Sequence, residues 1–449
     1  MRKLWAAAII GIAALIGTSN QVRAAFGGCI GDCDGSGAVT VDELVRSVNI
    51  ALGEATIDIC TAIDGNGDQS VTMDELVRGV SAAIDGCPVT AVTAGIVFSG
   101  EDNRLHAYDP GPGFQRETVI PSNADQPATG RDINGQICFT RGPEGQLRFI
   151  AGEDTDQGQS HLGAGWGLIE LAGSFPNFTY NELKHLQPRY QAGEEAENYG
   201  CGFLSDGRLL TSDVGNQASG VGTGQLILWF PPLDGASVKF CKLATTISTA
   251  GQIAIDEQDR IYVSSARSTQ TGVAGVYRFS GDLPTSDTAD GGCGLIDAVG
   301  DPLVSEGRVT KEVFIAGDGH VGTPGGLVII PDGGFYVASV LNGVIAEYDS
   351  EGKFKRRILS PPPGGGLPTP TGNPFGLGLA SDGTLYFADI GLTLSSGGIG
   401  PGQDLGKVRR IRFVDSQPQP PEIMDVNLNF PDGIGILEGT AADLIVAHP

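Results

Sequence analysis

A strand–turn–strand unit repeats along most of this sequence and limits the folds that the chain can adopt. Each copy has a Gly-led apolar segment, a turn, and a second segment rich in Tyr, Val and Ala. The copies are NGQICFTRGPEGQLRFIAGE (134–153), YGCGFLSDGRLLTSDVGN (199–216), AGQIAIDEQDRIYVSSAR (250–267), PGGLVIIPDGGFYVASVLNG (324–343), FGLGLASDGTLYFADIG (375–391) and DGIGILEGTAADLIVAH (432–448). Repetition of this kind predicts a repeat architecture built from short strands.

The two ends of the repeated region complement each other. Outer strands follow several copies, most clearly at 343–359 and 406–413, whereas the sixth copy ends after two inner strands. The segment AGIVFSGEDNRLHAYDP (94–110) is available to supply its missing outer pair. A ring in which both chain ends share one blade has no open sheet edge. The predicted fold class is mainly β, a six-bladed β-propeller over residues 89–449 with N- and C-terminal strands sharing the closing blade; seven blades is the alternative count.

The repeated unit resembles the blades of NHL-type and gluconolactonase-like propellers over essentially all of residues 89–449. The copy FGLGLASDGTLYFAD (375–389) is the most similar. The resemblance implies a channel metal held by Glu, Asn and Asp, with an Asp as base. It assigns that catalytic role to Asp213 or Asp389. The Asn that the family has at the start of the inner strand is replaced in four copies, by Tyr199, Gly251, Gly325 and Phe375, and only Asn134 and Asp432 keep a ligand there.

Channel ligands of a propeller are expected where inner strands begin and second strands end. The residues at the start of inner strands are Asn134, Asn198, Tyr199, Asn373, Phe375 and Asp432. Those at the end of second strands are Glu153, Asp154, Asp213, Asn216, Arg267, Asn342, Asp389 and His448. Because this set is rich in hard oxygen ligands, it is compatible with a divalent ion in the channel. The five histidines share no spacing typical of a zinc site.

Residues 154–197 form an insertion that holds Trp166, Phe175, Phe178, Tyr180 and Tyr190. It is longer than an ordinary connecting loop. Two interpretations stay open: a cap over the channel mouth, or an outer loop packed on blade edges.

Two acidic segments precede the repeats, and they match each other position by position. Their polar residues occupy positions 1, 3, 5, 7, 9 and 12 of an EF-hand loop, where Ca²⁺ finds side-chain and carbonyl oxygens. The predicted metal ligands are Asp32, Asp34, Ser36, Ala38 through its carbonyl, Thr40 and Glu43 in the first loop, and Asp64, Asn66, Asp68, Ser70, Thr72 and Glu75 in the second. The sequence therefore predicts two calcium ions, held more weakly in the second loop, which has Gln69 where Gly eases the turn.

Each acidic loop leads into one amphipathic helix. The apolar residues at helical spacing are Leu44, Val45, Val48 and Leu52 in the first, and Leu76, Val77, Val80 and Ile84 in the second. This spacing predicts two apolar faces that bury against each other. A loop and an exiting helix, twice, resemble a dockerin module over residues 29–87, which implies a protein partner. Val41-Asp42 and Met73-Asp74 depart from the hydroxyl pair that cohesin-binding dockerins present. We assign residues 25–88 to this small all-α, dockerin-like EF-hand pair.

The first 24 residues predict export. Arg2 and Lys3 precede the apolar run from Trp5 to Ile16, and Val22-Arg23-Ala24 provides a small-residue exit. That order is typical of a secretory signal peptide, and the run is too short to cross a bilayer. No later segment is apolar for eighteen residues, so no membrane insertion is expected after signal removal. The predicted location is secreted, periplasmic or extracellular.

Charge and cysteine content narrow the partners and the compartment. The net charge of −25 disfavours nucleic acid and anionic lipid as partners and favours cations. The eight cysteines fall into two groups of four, Cys29, Cys33, Cys60 and Cys87, and Cys138, Cys201, Cys241 and Cys293. We expect disulfides within each group, with the connectivity left open.

Two functions are compatible with these features. The first is a secreted calcium-binding propeller protein that acts as an extracellular ligand-binding or scaffolding module. The second is a metal-dependent lactone or ester hydrolase of the gluconolactonase-like family.

Overall fold

The computed structural model describes residues 30–33, 39–64, 69–85, 95–143, 145–153, 165–189, 198–213, 224–247, 250–266, 273–363, 366–395 and 398–438. The chain divides into two compact units, residues 1–92 and 93–449. The predicted signal segment lies outside the described residues. Among the helices that are described, none is both long enough and apolar enough to span a bilayer.

The first unit is helical in its described part. It contains helices α1 (Val41–Ala51) and α2 (Met73–Asp85), with two short 3₁₀ turns, Ile57–Ile59 and Thr61–Ile63, between them. A disulfide joins Cys33 to Cys60.

Both helices begin with the same polar contacts. The backbone N–H of Thr40 donates to Glu43 Oε2 at 2.7 Å, and the N–H of Glu43 donates to Thr40 Oγ1 at 3.4 Å. Thr72 and Glu75 repeat both contacts at the same distances. This reciprocal arrangement is a capping box, which satisfies backbone donors at a helix start. The repeated sequence is therefore matched by repeated local structure.

The prediction that the apolar helix faces bury against each other is wrong in the described residues. Leu44 and Leu76 are half-buried, but five of the remaining residues are more than 40% exposed: Val45, Val48, Leu52, Val77 and Val80. The side chain of Ile84 lies outside the description. The capping contacts explain the difference. They turn Glu43 and Glu75 inward, and Ser47 and Ala82 are buried on the same sides of their helices. The apolar stripes consequently face outward.

The second unit consists of strands. In chain order they are β1 (Ile96–Glu101), β2 (Arg104–Tyr108), β3 (Arg116–Ile120), β4 (Ile133–Arg141), β5 (Leu147–Glu153), β6 (Gly165–Ser174), β7 (Asn177–Leu186), β8 (Asn198–Phe203), β9 (Leu209–Asp213), β10 (Gly224–Phe230), β11 (Lys239–Ile247), β12 (Ala250–Ile255), β13 (Ile261–Ser265), β14 (Gly275–Gly281), β15 (Leu295–Ile296), β16 (Pro302–Leu303), β17 (Val309–Ala316), β18 (Pro324–Ile329), β19 (Phe335–Ser339), β20 (Val344–Tyr348), β21 (Phe354–Leu359), β22 (Pro374–Leu379), β23 (Leu385–Asp389), β24 (Leu392–Ser395), β25 (Gly398–Pro401), β26 (Gly406–Ile411), β27 (Phe413–Val414), β28 (Gln417–Pro418), β29 (Glu422–Leu428) and β30 (Ile434–Leu437).

These strands form a six-bladed β-propeller. From the innermost strand outward, blade 1 is β30-β1-β2-β3, blade 2 is β4-β5-β6-β7, blade 3 is β8-β9-β10-β11 with β16 and β15 added, blade 4 is β12-β13-β14-β17, blade 5 is β18-β19-β20-β21 and blade 6 is β22-β23-β26-β29. The innermost strands contact one another in sequence, and β22 meets β30 to close the ring. The pairs β24-β25 and β27-β28 are separate hairpins. The predicted six-blade count is confirmed.

Blade 1 closes the ring with strands from both ends of the repeated region, as predicted, but with a different division. Strand β30 pairs directly with β1, in a register that sets Phe98 opposite Gly435. Among the described residues the C-terminal region thus contributes one strand and residues 96–120 contribute three. The predicted division was two and two. Because β1 already occupies the edge of β30, a second C-terminal strand has no place between them.

The insertion at 154–197 is neither a cap nor an outer loop in its described part. Residues 165–186 form β6 and β7, the two outer strands of blade 2. Trp166 is fully buried, and Phe178 packs against Phe98 of blade 1 with ring centroids 5.6 Å apart. Tyr190 lies outside the described residues. The aromatic side chains therefore belong to the packing between blades.

The hydrophobic core of the propeller lies between neighbouring blades. Six clusters of buried residues each join two adjacent blades, as when Phe98 and Phe149 join blades 1 and 2. A disulfide between Cys138 and Cys201 links the inner strands of blades 2 and 3, and another links Cys241 to Cys293. With the bond in the first unit, three disulfides pair within the predicted groups, and Cys29 and Cys87 lie outside the described residues. Such bonds are typical of proteins in an oxidising, extracytoplasmic compartment.

Candidate functional site

The predicted calcium loops are only partly described. Asp34, Ser36, Ala38, Asn66 and Asp68 lie outside the described residues. At the C-terminal ends of the loops, Glu43 and Glu75 occupy equivalent positions and are almost completely buried, at 2% and 1% exposure.

The described starts of the two loops are also ordered by polar contacts. Asp32 is buried, and Asp64 Oδ2 accepts the backbone N–H of Gln69 at 2.8 Å. Gln69 has a φ of +64°, a conformation that costs little only for Gly. The weaker calcium binding expected of the second loop stays a prediction.

The predicted residues at the start of the inner strands all lie at one end of the propeller, because inner strands begin there and second strands end there. Tyr199 and Phe375 are the second residues of the inner strands of blades 3 and 6, which lie opposite each other in the ring of six blades. Their ring centroids are 4.9 Å apart in an edge-to-face arrangement. These two aromatic residues therefore meet across the channel mouth.

Two glutamines fill the interior just beyond this aromatic pair. Gln136 of blade 2 accepts hydrogen bonds from the N–H groups of Cys201 and Ile253, each at 3.1 Å, and donates to Ile253 O at 3.1 Å. Gln252 of blade 4 makes the equivalent contacts to blades 5 and 6. It accepts hydrogen bonds from the N–H groups of Leu327 at 3.1 Å and Leu377 at 3.0 Å. Blades 2 and 4 are not neighbours, so each amide must reach across the interior of the ring. The axis at this level is occupied by side chains.

The candidate catalytic aspartates lie at the predicted strand ends and are buried. Asp389 Oδ1 accepts the N–H of Asn373 at 2.7 Å, and its Oδ2 lies 2.9 Å from Arg409 Nη2. Asn373 in turn donates to Val340 O at 2.8 Å. Asp213 Oδ1 accepts the N–H of Gln225 at 3.3 Å. The catalytic role of either aspartate stays a prediction.

Some of the remaining predicted channel residues lie close together, since Asn134 Oδ1 and the Asn198 side chain both adjoin Gly152. Asn198 donates to Gly165 O at 2.5 Å, and Asp432 accepts the N–H of Gly135 at 2.8 Å. Asn342 lies in blade 5, beside a cleft of about 390 Å³. Asp154, Asn216, Arg267 and His448 lie outside the described residues. The channel ion also stays a prediction.

Glu153 belongs to a different cluster, which sequence reasoning missed. Glu153, Glu182 and His185 each offer one ligand atom, and these atoms lie within 4.8 Å of one another. His185 Nδ1 is 2.8 Å from Glu153 Oε2, and Arg131 Nε donates to Glu182 Oε2. Burial raises the pKa of Glu153, and the hydrogen bond with His185 offsets that effect only in part. We call Glu153, Glu182 and His185 the blade-2 cluster.

A bulge explains why the cluster was not recognised in the sequence. Residues 182 and 185 are three apart, so a regular strand would turn their side chains to opposite faces. In β7, however, Lys184 pairs with Leu168 while Glu182 pairs with Ile169, which leaves Leu183 as an extra residue. Such a bulge returns both side chains to one face. No pattern in the sequence marks its position.

No family model matches the chain, and no curated protein matches it either. Several solved structures are similar. A catalytically inactive virginiamycin B lyase from Staphylococcus aureus with quinupristin has 11% identity and a TM-score of 0.39, with 78% of this chain and 94% of that chain covered. A gluconolactonase from Xanthomonas campestris has 14% identity and a TM-score of 0.35, with 64% and 75% covered.

The calcium-binding protein regucalcin from Agrobacterium tumefaciens has 17% identity and a TM-score of 0.39, with 64% of this chain and 75% of that chain covered. Sequence identities and TM-scores this low do not assign the chain to a family.

Proposed function

We propose that this protein is an exported calcium-binding propeller protein that acts as an extracellular ligand-binding or scaffolding module. One Ca²⁺ is held by the loop that ends at Glu43 and another by the loop that ends at Glu75. The observation that carries the proposal is the equivalence of these two glutamates: each is nearly fully buried at the start of its helix and is held by the same contacts.

The chemistry of the loops supports calcium. Calcium prefers six to eight oxygen ligands, and a Glu in the last loop position closes the site with both carboxylate oxygens. In the first loop Asp32 and Glu43 are both buried, and Glu43 Oε1 accepts the N–H of Cys33, the residue after Asp32, at 2.8 Å. Carboxylates gathered in this way repel one another unless a cation is bound.

The exposed helix faces support a protein partner for the first unit. Val45 and Val48 of α1 and Val77 and Val80 of α2 lie on the outside at equivalent positions. Apolar side chains grouped on a surface are typical of contact sites for proteins. Calcium would then order the loops that fix both helices.

The closed axis disfavours hydrolysis in the propeller channel. Tyr199 and Phe375 meet across the mouth, and Gln136 and Gln252 fill the space beyond. The alternative, a metal-dependent lactone or ester hydrolase with Asp213 or Asp389 as base, requires room for a metal ion and substrate near these residues.

Calcium titration of the full chain tests the proposal. Calorimetry should find two calcium ions bound to the unmodified protein and none in these loops after Glu43→Gln and Glu75→Gln together. The exposed Glu54 of the same unit provides the control, because Glu54→Gln makes the same type of change at one carboxylate outside the loops. Unchanged calcium stoichiometry in the double variant would rule out the loop assignment.

A panel of esters and lactones, assayed with and without chelator, tests the alternative. Chelator-sensitive turnover that is lost in Asp389→Asn or Asp213→Asn would establish a hydrolase in place of a binding module. No turnover on the panel, together with two calcium ions in the loops, is the expected result.

A further inference from the structure

The blade-2 cluster goes beyond this proposed function, because it lies in the propeller and contains an imidazole. Glu153 is the last residue of β5, whereas Glu182 and His185 lie in β7. Strand β6 separates them in the sheet. The side chain of Glu153 therefore has to reach those of Glu182 and His185 across the intervening strand.

Strand β6 has glycine at the two positions where this meeting occurs. A Cβ on Gly167 would lie 2.6 Å from Glu153 Oε1, and a Cβ on Gly165 would lie 2.6 Å from His185 Nε2. Any other residue at either position would push the cluster apart. Trp166, between the two glycines, is fully buried and fixes the strand. The backbone is thus shaped around the three side chains.

One carboxylate oxygen of the cluster is left unused. Glu153 is only 5% exposed, and its Oε1 has no hydrogen-bond partner among the described residues. In the described part of the chain, the guanidinium nearest to this oxygen is that of Arg131, whose Nε lies 4.0 Å away and donates to Glu182 instead. A buried, unsatisfied carboxylate oxygen costs free energy that a closely bound cation would recover.

Blade 1 contains a histidine–glutamate pair that lacks this feature. His106 Nε2 lies 3.0 Å from Glu101 Oε2, and Thr118 Oγ1 lies 3.1 Å from His106 Nδ1. The other carboxylate oxygen, Glu101 Oε1, accepts the N–H of Asn429 at 2.7 Å. Both carboxylate oxygens of Glu101 therefore have hydrogen-bond partners. Among the described residues, no third metal-ligating side chain lies close to this pair. The blade-2 cluster differs by its open oxygen and its second carboxylate.

We propose that the blade-2 cluster binds a divalent transition metal of the zinc class through Glu153, Glu182 and His185. Imidazole combined with carboxylate suits Zn²⁺ and its neighbours, whereas Ca²⁺ and Mg²⁺ take oxygen ligands. Three protein ligands leave a fourth position for water or an external group. Ligand atoms about 2.1 Å from zinc lie about 3.4 Å apart, so modest side-chain rotation brings the cluster to bonding distance.

Arg131 is the cation that competes with the metal. It holds Glu182 and approaches Glu153, while its Nη1 also donates to Gly130 O at 2.8 Å. When a metal supplies the positive charge, Arg131 keeps this carbonyl contact and leaves the carboxylates. Loss of the guanidinium should therefore strengthen metal binding, an effect that a purely structural ion pair would not produce.

Zinc titration of the full chain in saturating calcium tests the proposal. We expect one Zn²⁺ per chain, at least tenfold weaker binding in His185→Ala and Glu182→Gln, and at least tenfold tighter binding in Arg131→Gln. His320→Ala is the matched control, since this half-buried histidine stacks on Phe354 in blade 5 and should leave zinc affinity unchanged.

The outcomes separate this proposal from the calcium assignment. Zinc binding should survive the paired change of Glu43 and Glu75 to Gln, because those residues lie in the first unit. Circular dichroism checks each variant for folding, and should His185→Ala not fold, Glu182→Gln and Arg131→Gln decide. Equal zinc affinity in all cluster variants, or weaker binding in Arg131→Gln, would overturn the proposal.

Discussion

A buried lysine in blade 3 allows a quantitative test of what holds the six-stranded sheet together. Lys242 of β11 is 1% exposed, and its Nζ lies 2.7 Å from Asp297 Oδ2 and 3.0 Å from Asp301 Oδ2. Its Nζ also donates to Arg189 O at 3.2 Å. Residues 297 and 301 flank the turn between β15 and β16, which adds the last two strands to the sheet. One ammonium group thus fixes that turn to the blade.

Replacing Lys242 with Met retains most of the side-chain volume and removes the charge. Asp297 and Asp301, with side chains 9% and 4% exposed, would then be two buried carboxylates without their central cation. Breaking a buried ion pair by removing one partner costs about 3–5 kcal/mol, because the remaining charge stays desolvated. We therefore expect Lys242→Met to lower the free energy of unfolding by that amount.

Urea unfolding followed by tryptophan fluorescence measures the change, since Trp229 lies in the same blade. Lys239 provides the control in the same strand. It pairs with Asp287 at 3.0 Å but is 60% exposed, so Lys239→Met should cost less than about 1 kcal/mol. If Lys242→Met cost no more than Lys239→Met, the reasoning from burial would be refuted.

Two further predictions concern other buried polar groups. Gln252→Leu leaves the N–H groups of Leu327 and Leu377 without their acceptor. We expect the free energy of unfolding measured in urea to fall by about 2–5 kcal/mol, and hydrogen exchange to become faster at both amides. Unchanged exchange would contradict this prediction. Burial by itself raises the pKa of Glu347, but hydrogen bonds from two basic side chains of β21 lower it below its ordinary value. This stabilisation is present above the unfolded-state pKa of Glu and is lost as the pH falls through the pKa of Glu347 in the folded protein. Glu347→Gln should therefore flatten the acid side of a curve of stability against pH. An unchanged curve would contradict the lowered pKa of Glu347.

The propeller was predictable because its signal is repeated. An inner strand, a turn and a second strand, as at Pro374–Leu379 and Leu385–Asp389, recur in five blades, and strands from both ends of the repeated region take these places in blade 1. The division of blade 1 was not predictable in the same way. Residues 96–101 have the alternation of any second or third strand, and only their pairing with β30 decides the position.

The sites were harder to predict, because they depend on single local contacts. The apolar spacing of α1 identified a helix, but the inward turn of Glu43 determined which face is buried. The blade-2 cluster depends on one extra residue, Leu183, in β7. The bulge shifts the alternation of side chains by one residue, and the capping contact holds Glu43 against the start of its helix. Both features decide which residues can share a site.

The closed axis follows from one position in the repeat. Gln136 and Gln252 occupy the same inner-strand position in blades 2 and 4. Gly200, Gly326 and Gly376 hold the corresponding position in blades 3, 5 and 6. A Cβ at Gly326 would collide with the carbonyl of Phe375, and one at Gly200 with the carbonyl of Gly251. Glycine at these positions therefore lets the inner strands of neighbouring blades approach closely, since a Cβ there has no room. Because this arrangement uses the axis for packing, ligand chemistry in the propeller is best sought on the outer strands, where the blade-2 cluster lies.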